Sequence, residues 1–236
     1  MSFSIYRSIG VALLACAVPV ATGCGGEEIK YKPREALSGA KANMPAVPNV
    51  PQRPIKNGDV YTVWGASYHL RSRVHRPDVA KKKITLGGYI TKTNLMDAPE
   101  CAVHEGGKAD PDGCIAPIPT FWIGEKKDAP ESESIKVLGW ASNFAQIYDA
   151  IDEYDKGKED AEYLDTFWGV KLPKPLPAPG AKVTVTGTYA TTFTGASQGT
   201  EADPIMGIIS YQSMTYEEEP SELATLPGVK RKPPKE

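Results

Sequence analysis

Apolar and polar positions alternate along this chain in short bursts rich in Val, Ile, Thr and Tyr. Val60-Tyr61-Thr62-Val63-Trp64 is one such burst and predicts a strand. Across 84–93, Ile84, Leu86 and Ile90 fall on one face and Thr85, Tyr89 and Thr91 on the other. Gly87-Gly88 within that strand predicts a bend or bulge. Further strands are predicted over 119–123, with Phe121 and Ile123 opposite Trp122, and over 135–140 and 205–216. The cleanest alternation is 183–189, where Val183, Val185 and Tyr189 face in and the threonines face out. One stretch changes period: Phe144, Ile147, Tyr148 and Ile151 form a helical stripe, with Asn143 placed three residues before Gln146 as in a capping box. A second helical piece is predicted over 159–168, carrying Tyr163, Leu164, Phe167 and Trp168, with Gly169 as its stop.

The order of strands, helix and two further strands resembles the OB-fold, a five-stranded Greek-key barrel. In that fold a helix lies between the third and fourth strands. The resemblance is carried by Leu86-Gly87-Gly88-Tyr89-Ile90, Thr120-Phe121-Trp122-Ile123, Ile135-Lys136-Val137-Leu138-Gly139-Trp140 and Val183-Thr184-Val185-Thr186-Gly187, and it covers 60–216. It implies a mainly β fold; a small β-sandwich is the alternative, and explains the central helix less naturally. On such a barrel Tyr89, Trp122 and Trp140 would share an exposed face, with Arg71 and Arg73 beside it, and aromatic faces flanked by cations are how this fold stacks bases. The competing reading of the basic run is a solvated strand end guarded by Lys81-Lys82-Lys83.

The two ends read differently. Residues 1–23 combine Arg7 with a mostly apolar run over 9–21, the build of an export signal too short to span a bilayer. Ala21-Thr22-Gly23-Cys24 then resembles the lipobox of bacterial lipoproteins, in which the cysteine is acylated and becomes the mature N-terminus. That family usually has leucine where Ala21 stands. The resemblance implies a lipid anchor (palmitate-type chains) on Cys24, and Gly25 after it implies the outer membrane, facing the periplasm or the cell surface. Two or more chains anchor stably, since each buried CH₂ contributes about 0.8 kcal/mol. Residues 24–57 are proline-rich and predict a semi-rigid tether. Residues 217–236 are densely charged and predict a disordered tail, leaving 58–216 as the folded domain.

Charge narrows the function. The 27 Lys and Arg stand against 29 Asp and Glu, a net charge of −2, so no broad cationic surface exists to coat nucleic acid. In an oxidising envelope Cys101 and Cys114 read as a disulfide; the alternative is a metal site built from Cys101, His104, Asp110, Asp112 and Cys114. The sequence has no G-x-S-x-G, no H-E-x-x-H and no phosphate loop, and His69, His75 and His104 are its only histidines. Carboxylates along 149–160 decorate a helix and turn as a solvated face does. No cofactor is implied. The expectation is a lipid-anchored envelope lipoprotein whose domain is a binding or structural module for a protein or polymer partner. An oligonucleotide- or oligosaccharide-binding OB domain is the alternative. A third reading is a secreted hydrolase using residues such as Arg71, Arg73, Asp97 and His104.

Overall fold

The alternation over 84–93 becomes the longest strand of the domain, β1 (Lys82–Thr93), and the rest of the sheet is organised by how it bends. Its first half pairs antiparallel with one partner and its last residues with another, so one strand serves both edges of a closing sheet. The changeover falls at Tyr89, directly after Gly87-Gly88. A Cβ on Gly88 would lie 2.6 Å from the Gly124 carbonyl oxygen, so glycine is required where the two strands converge. The computed structural model describes residues 53–157, 160–195 and 199–231, all within one unit spanning 50–236. The stretch read as an export signal, Cys24, most of the proline-rich stretch and residues 232–236 lie outside the described residues.

The remaining barrel strands are β2 (Phe121–Gly124), β3 (Ile135–Leu138), β4 (Lys182–Ala190) and β5 (Ile208–Glu218). Pairing runs β1-β2-β3-β5-β4 and closes through β4 onto β1, with Leu86 opposite Val185. All pairs are antiparallel except β3 with β5, where Ile208 lies beside Lys136. Closure pairs each of these five strands on both sides, and the short strands Lys56–Asn57 and Val60–Tyr61 extend the same sheet beside β1, with Tyr61 parallel to Leu86. It also sets aside the sandwich alternative: the fold is a closed, five-stranded, OB-like barrel. Inward positions are those of the alternation, including Ile84, Leu86, Ile90, Phe121, Ile123, Val183, Val185 and Tyr189, all buried.

Between β3 and β4 runs α3 (Phe144–Tyr154), following α1 (Val63–Arg71) and α2 (Arg76–Val79) in chain order. The Asn143 side chain accepts from the Gln146 N–H at 2.9 Å, so the expected cap is real. Phe144, Ile147 and Ile151 join the barrel's hydrophobic cluster, each contributing about 1.5–3 kcal/mol by leaving water.

Four expectations need correction. The strand predicted over Val60-Trp64 stops at Tyr61, because Thr62 caps α1: its Oγ1 accepts from the Gly65 N–H and donates to the Pro54 carbonyl. Val63, Ala66, Ser67 and Leu70 then bury a helical stripe hidden behind a β-rich opening. The helical piece predicted over 159–168 is not helical over its described residues; Leu164–Asp165 instead pairs with Val170–Lys171 in a short hairpin. The tail predicted from 217 stays on the domain to 231: Leu226 is 1% exposed in the core, and Arg231 pairs with Asp155 at 2.7 Å. At the other end Ile55 already packs on the core, within the stretch read as tether.

Candidate functional site

The aromatic face expected from the strands is not there. Trp140 is wholly buried, meeting Phe121 edge-on at 5.9 Å between ring centroids. The cause is Gly139, whose φ of +77° breaks the alternation at the end of β3 and turns the next side chain inward. Trp122 does point outward, across from Lys136, yet is only 6% exposed, and the Lys92 ammonium lies 5.0 Å from its ring centroid. Tyr89 is half-buried with Lys127 over its ring at 5.4 Å. Arg71 and Arg73 are exposed on the corner between α1 and α2 rather than on the barrel strands, with Arg71 Nε donating to the Ser67 carbonyl.

The outer surface of β3 is covered by the chain itself. The β4–β5 connection forms a hairpin, Thr192–Gly195 paired with Gly199–Ala202. Its Phe193 builds a second small core with Ile118, Leu138 and Ile208, and Trp168 packs against it. Glu201 of the same hairpin pairs with Lys136 at 3.1 Å.

Beside this covered face opens a cleft of about 660 Å³. One wall is the loop 108–116, a second is the start of α3 with Ser142, Asn143 and Gln146, and the third is Thr166–Trp168. Ile115, 90% exposed, and Phe167, 60% exposed, stand at this cleft as large apolar groups. Trp168 sits edge-on to Phe167 at 4.9 Å, and its indole N–H is buried without a partner. Lys108, Asp110 and Asp112 supply charge.

Each wall is fixed by a specific device. Cys101 and Cys114 form a disulfide, with Cα atoms 6.0 Å apart, which excludes the reading of these thiols as metal ligands. His104 Nε2 lies 3.1 Å from Asp110 Oδ1 within the closed loop. The His104 pKa is raised, first by the bond to the Glu105 carbonyl and then by Asp110. Asp149 anchors the loop to α3 by accepting from the Gly106 N–H and the Tyr163 hydroxyl. Burial, with Asp149 close by, pushes Tyr163 up to about 12, so it remains a neutral donor. The third wall hangs on Asp165, fully buried, whose carboxylate accepts from the N–H groups of Ser142 (2.5 Å), Phe167 (2.9 Å) and Trp168 (3.0 Å). That local acceptor competes with helix formation and explains the hairpin.

Sequence reasoning placed Phe167 and Trp168 on a helix and missed the cleft. The signal was Asp165 two and three residues before them, an Asx-turn pattern, followed by Gly169 at φ +65°. No protein-family model, no curated protein and no solved structure matches this chain. Among the described residues no helix is long and apolar enough to cross a membrane.

Proposed function

We propose that this chain is a lipid-anchored lipoprotein of the bacterial envelope, acylated on Cys24, whose OB-like domain is a non-catalytic binding module for an envelope protein or polymer. The lipobox-like Ala21-Thr22-Gly23-Cys24 supports the anchor, and Gly25 supports the outer membrane. The observation that carries the binding role is the exposure of Ile115 and Phe167 at a cleft whose walls are all tied down. Walls already fixed by a disulfide, a helix cap and a buried carboxylate leave less backbone to be ordered on binding. Apolar side chains of a protein partner fit Ile115, an aliphatic group in open water. An oligosaccharide is the second reading, favoured by Trp168 beside the amides of Asn143 and Gln146 and the carboxylates of Asp110 and Asp112.

The test is photo-crosslinking in the native host, with the reactive residue at 115 or 167 and a control at 89. Capture from 115 and 167 but not from 89 supports the cleft. Equal capture at all three, or none, refutes it. Separately, Cys24→Ser moves the protein from the detergent phase to the aqueous phase; a wild-type chain already aqueous, with residues 1–23 retained, refutes the anchor.

A further inference from the structure

The corner between α1 and α2 gathers three side chains that the cleft does not use. His69 lies in the last turn of α1, His75 immediately precedes α2, and Asp78 lies within it. The His69 and His75 rings are stacked, 4.7 Å between centroids and 15° between planes. His75 Nδ1 stands 3.5 Å from Asp78 Oδ2. One ligating atom from each of the three residues lies within 4.8 Å of the other two. His69 Nδ1 is buried and has no hydrogen-bond partner.

The backbone under these groups is well fixed. The Ser72 N–H bonds to the Tyr68 and His69 carbonyls, the Arg76 N–H to the Ser72 carbonyl, and the Ala80 N–H to the Arg76 carbonyl. Leu70 and Val79 anchor the two helices in the core at 1% and 0% exposure.

We propose that His69, His75 and Asp78 form a site for one divalent transition-metal ion, of which Zn²⁺ is the type. Two imidazole nitrogens and a carboxylate oxygen suit a borderline ion and not Ca²⁺ or Mg²⁺, which prefer all-oxygen shells. Tetrahedral zinc with bonds of about 2.0–2.1 Å spaces its ligands roughly 3.3 Å apart. The His75–Asp78 pair is already near that spacing, and both side chains are about half exposed, at 47% and 56%, free to rotate the rest of the way. Their exposure leaves a fourth position for water. Arg71, Arg73 and Arg76 belong to the same corner and Lys56 acts on His69, so the ion is held by coordination rather than by a negative field. Bound metal would tie α1 to α2.

The experiment is calorimetric titration of the full-length chain, purified without an affinity tag, with Zn²⁺ and separately with Mg²⁺. The expected result is one Zn²⁺ per chain, a higher Tm with the metal, and no Mg²⁺ uptake. His75→Ala and Asp78→Asn, both at exposed positions, weaken binding by at least about tenfold, since even outer-shell changes at metal sites cost 10–100-fold. His104→Ala leaves it unchanged. Absence of saturable uptake, uptake that survives His75→Ala, or uptake abolished by His104→Ala overturns the site.

Discussion

Replacing Asp165 by alanine tests whether the third wall of the cleft is held as described. The carboxylate is fully buried and satisfies three backbone N–H groups on two segments of chain, Ser142 before α3 and Phe167-Trp168 in the hairpin. Leaving a buried donor unpaired costs about 1–3 kcal/mol, and bonds to a charged acceptor lie at the upper end. Water entering from the cleft relieves part of this, so the expected loss for Asp165→Ala is about 3–5 kcal/mol. Asp165→Asn keeps the volume and one oxygen. Its amide nitrogen must then face an N–H donor, and the loss falls to about 1.5–3 kcal/mol. Urea unfolding of the oxidised protein, followed by tryptophan fluorescence, reads both as shifts in midpoint at unchanged slope. A loss below about 1 kcal/mol for Asp165→Ala would show that the three N–H groups find other partners, and the clamp would be no clamp.

Three further outcomes are expected. Changing both Cys101 and Cys114 to serine removes the closure of a loop with a sequence separation of 13 and costs about 3 kcal/mol in the chain-entropy account, read as a lower Tm. Trp140→Ala costs about 3–5 kcal/mol, read by urea unfolding, whereas an exposed binding residue would leave stability nearly untouched. The raised pKa of His104 makes its contribution fully present below the unfolded value of 6.5 and lost as pH rises through the higher folded value. Stability should therefore fall across that window in wild type and less so in His104→Gln, with the histidine's NMR titration midpoint above 6.5.

The barrel was legible because its strands carry their own instructions. Val183, Val185 and Tyr189 alternate with threonines, Gly87-Gly88 marks the bend of β1, and Asn143 caps the helix that distinguishes an OB-like order from a sandwich. The Cys101–Cys114 pair followed from parity and from the oxidising compartment expected of the chain. What failed were places where one residue overrides the local period. Gly139 reverses Trp140, Thr62 starts a helix inside a β-rich run, and Asp165 turns an apparent helix into a hairpin. The docking of Phe193 onto Leu138 and Ile118 had no local signal, because it joins segments far apart in sequence. The candidate site was therefore misplaced for three reasons: Gly139 turns Trp140 inward, the helix begun at Thr62 carries Arg71 away from the strands, and burial of the outer strand face depends on a connection whose destination periodicity does not encode.

That covered face also weighs between the functional readings. OB-folds bind oligonucleotides and oligosaccharides across the second and third strands and the loops flanking them. Here the β4–β5 hairpin lies over that region, fastened by Phe193 in a four-residue apolar cluster and by the Glu201–Lys136 pair. Lifting it re-exposes Ile118, Leu138, Phe193 and Ile208; at about 1.5–3 kcal/mol each, the opening costs on the order of 8 kcal/mol. A domain of ordinary stability has only about 5–15 kcal/mol in total. A ligand for the β2–β3 face would first have to supply that opening energy, and its apparent affinity would fall by the corresponding fraction of open chains. The cleft beside Ile115 and Phe167 needs no such opening. A partner choosing between the two surfaces therefore meets the cleft first, and binding at the covered face would require hairpin-deletion variants to bind far more tightly than wild type.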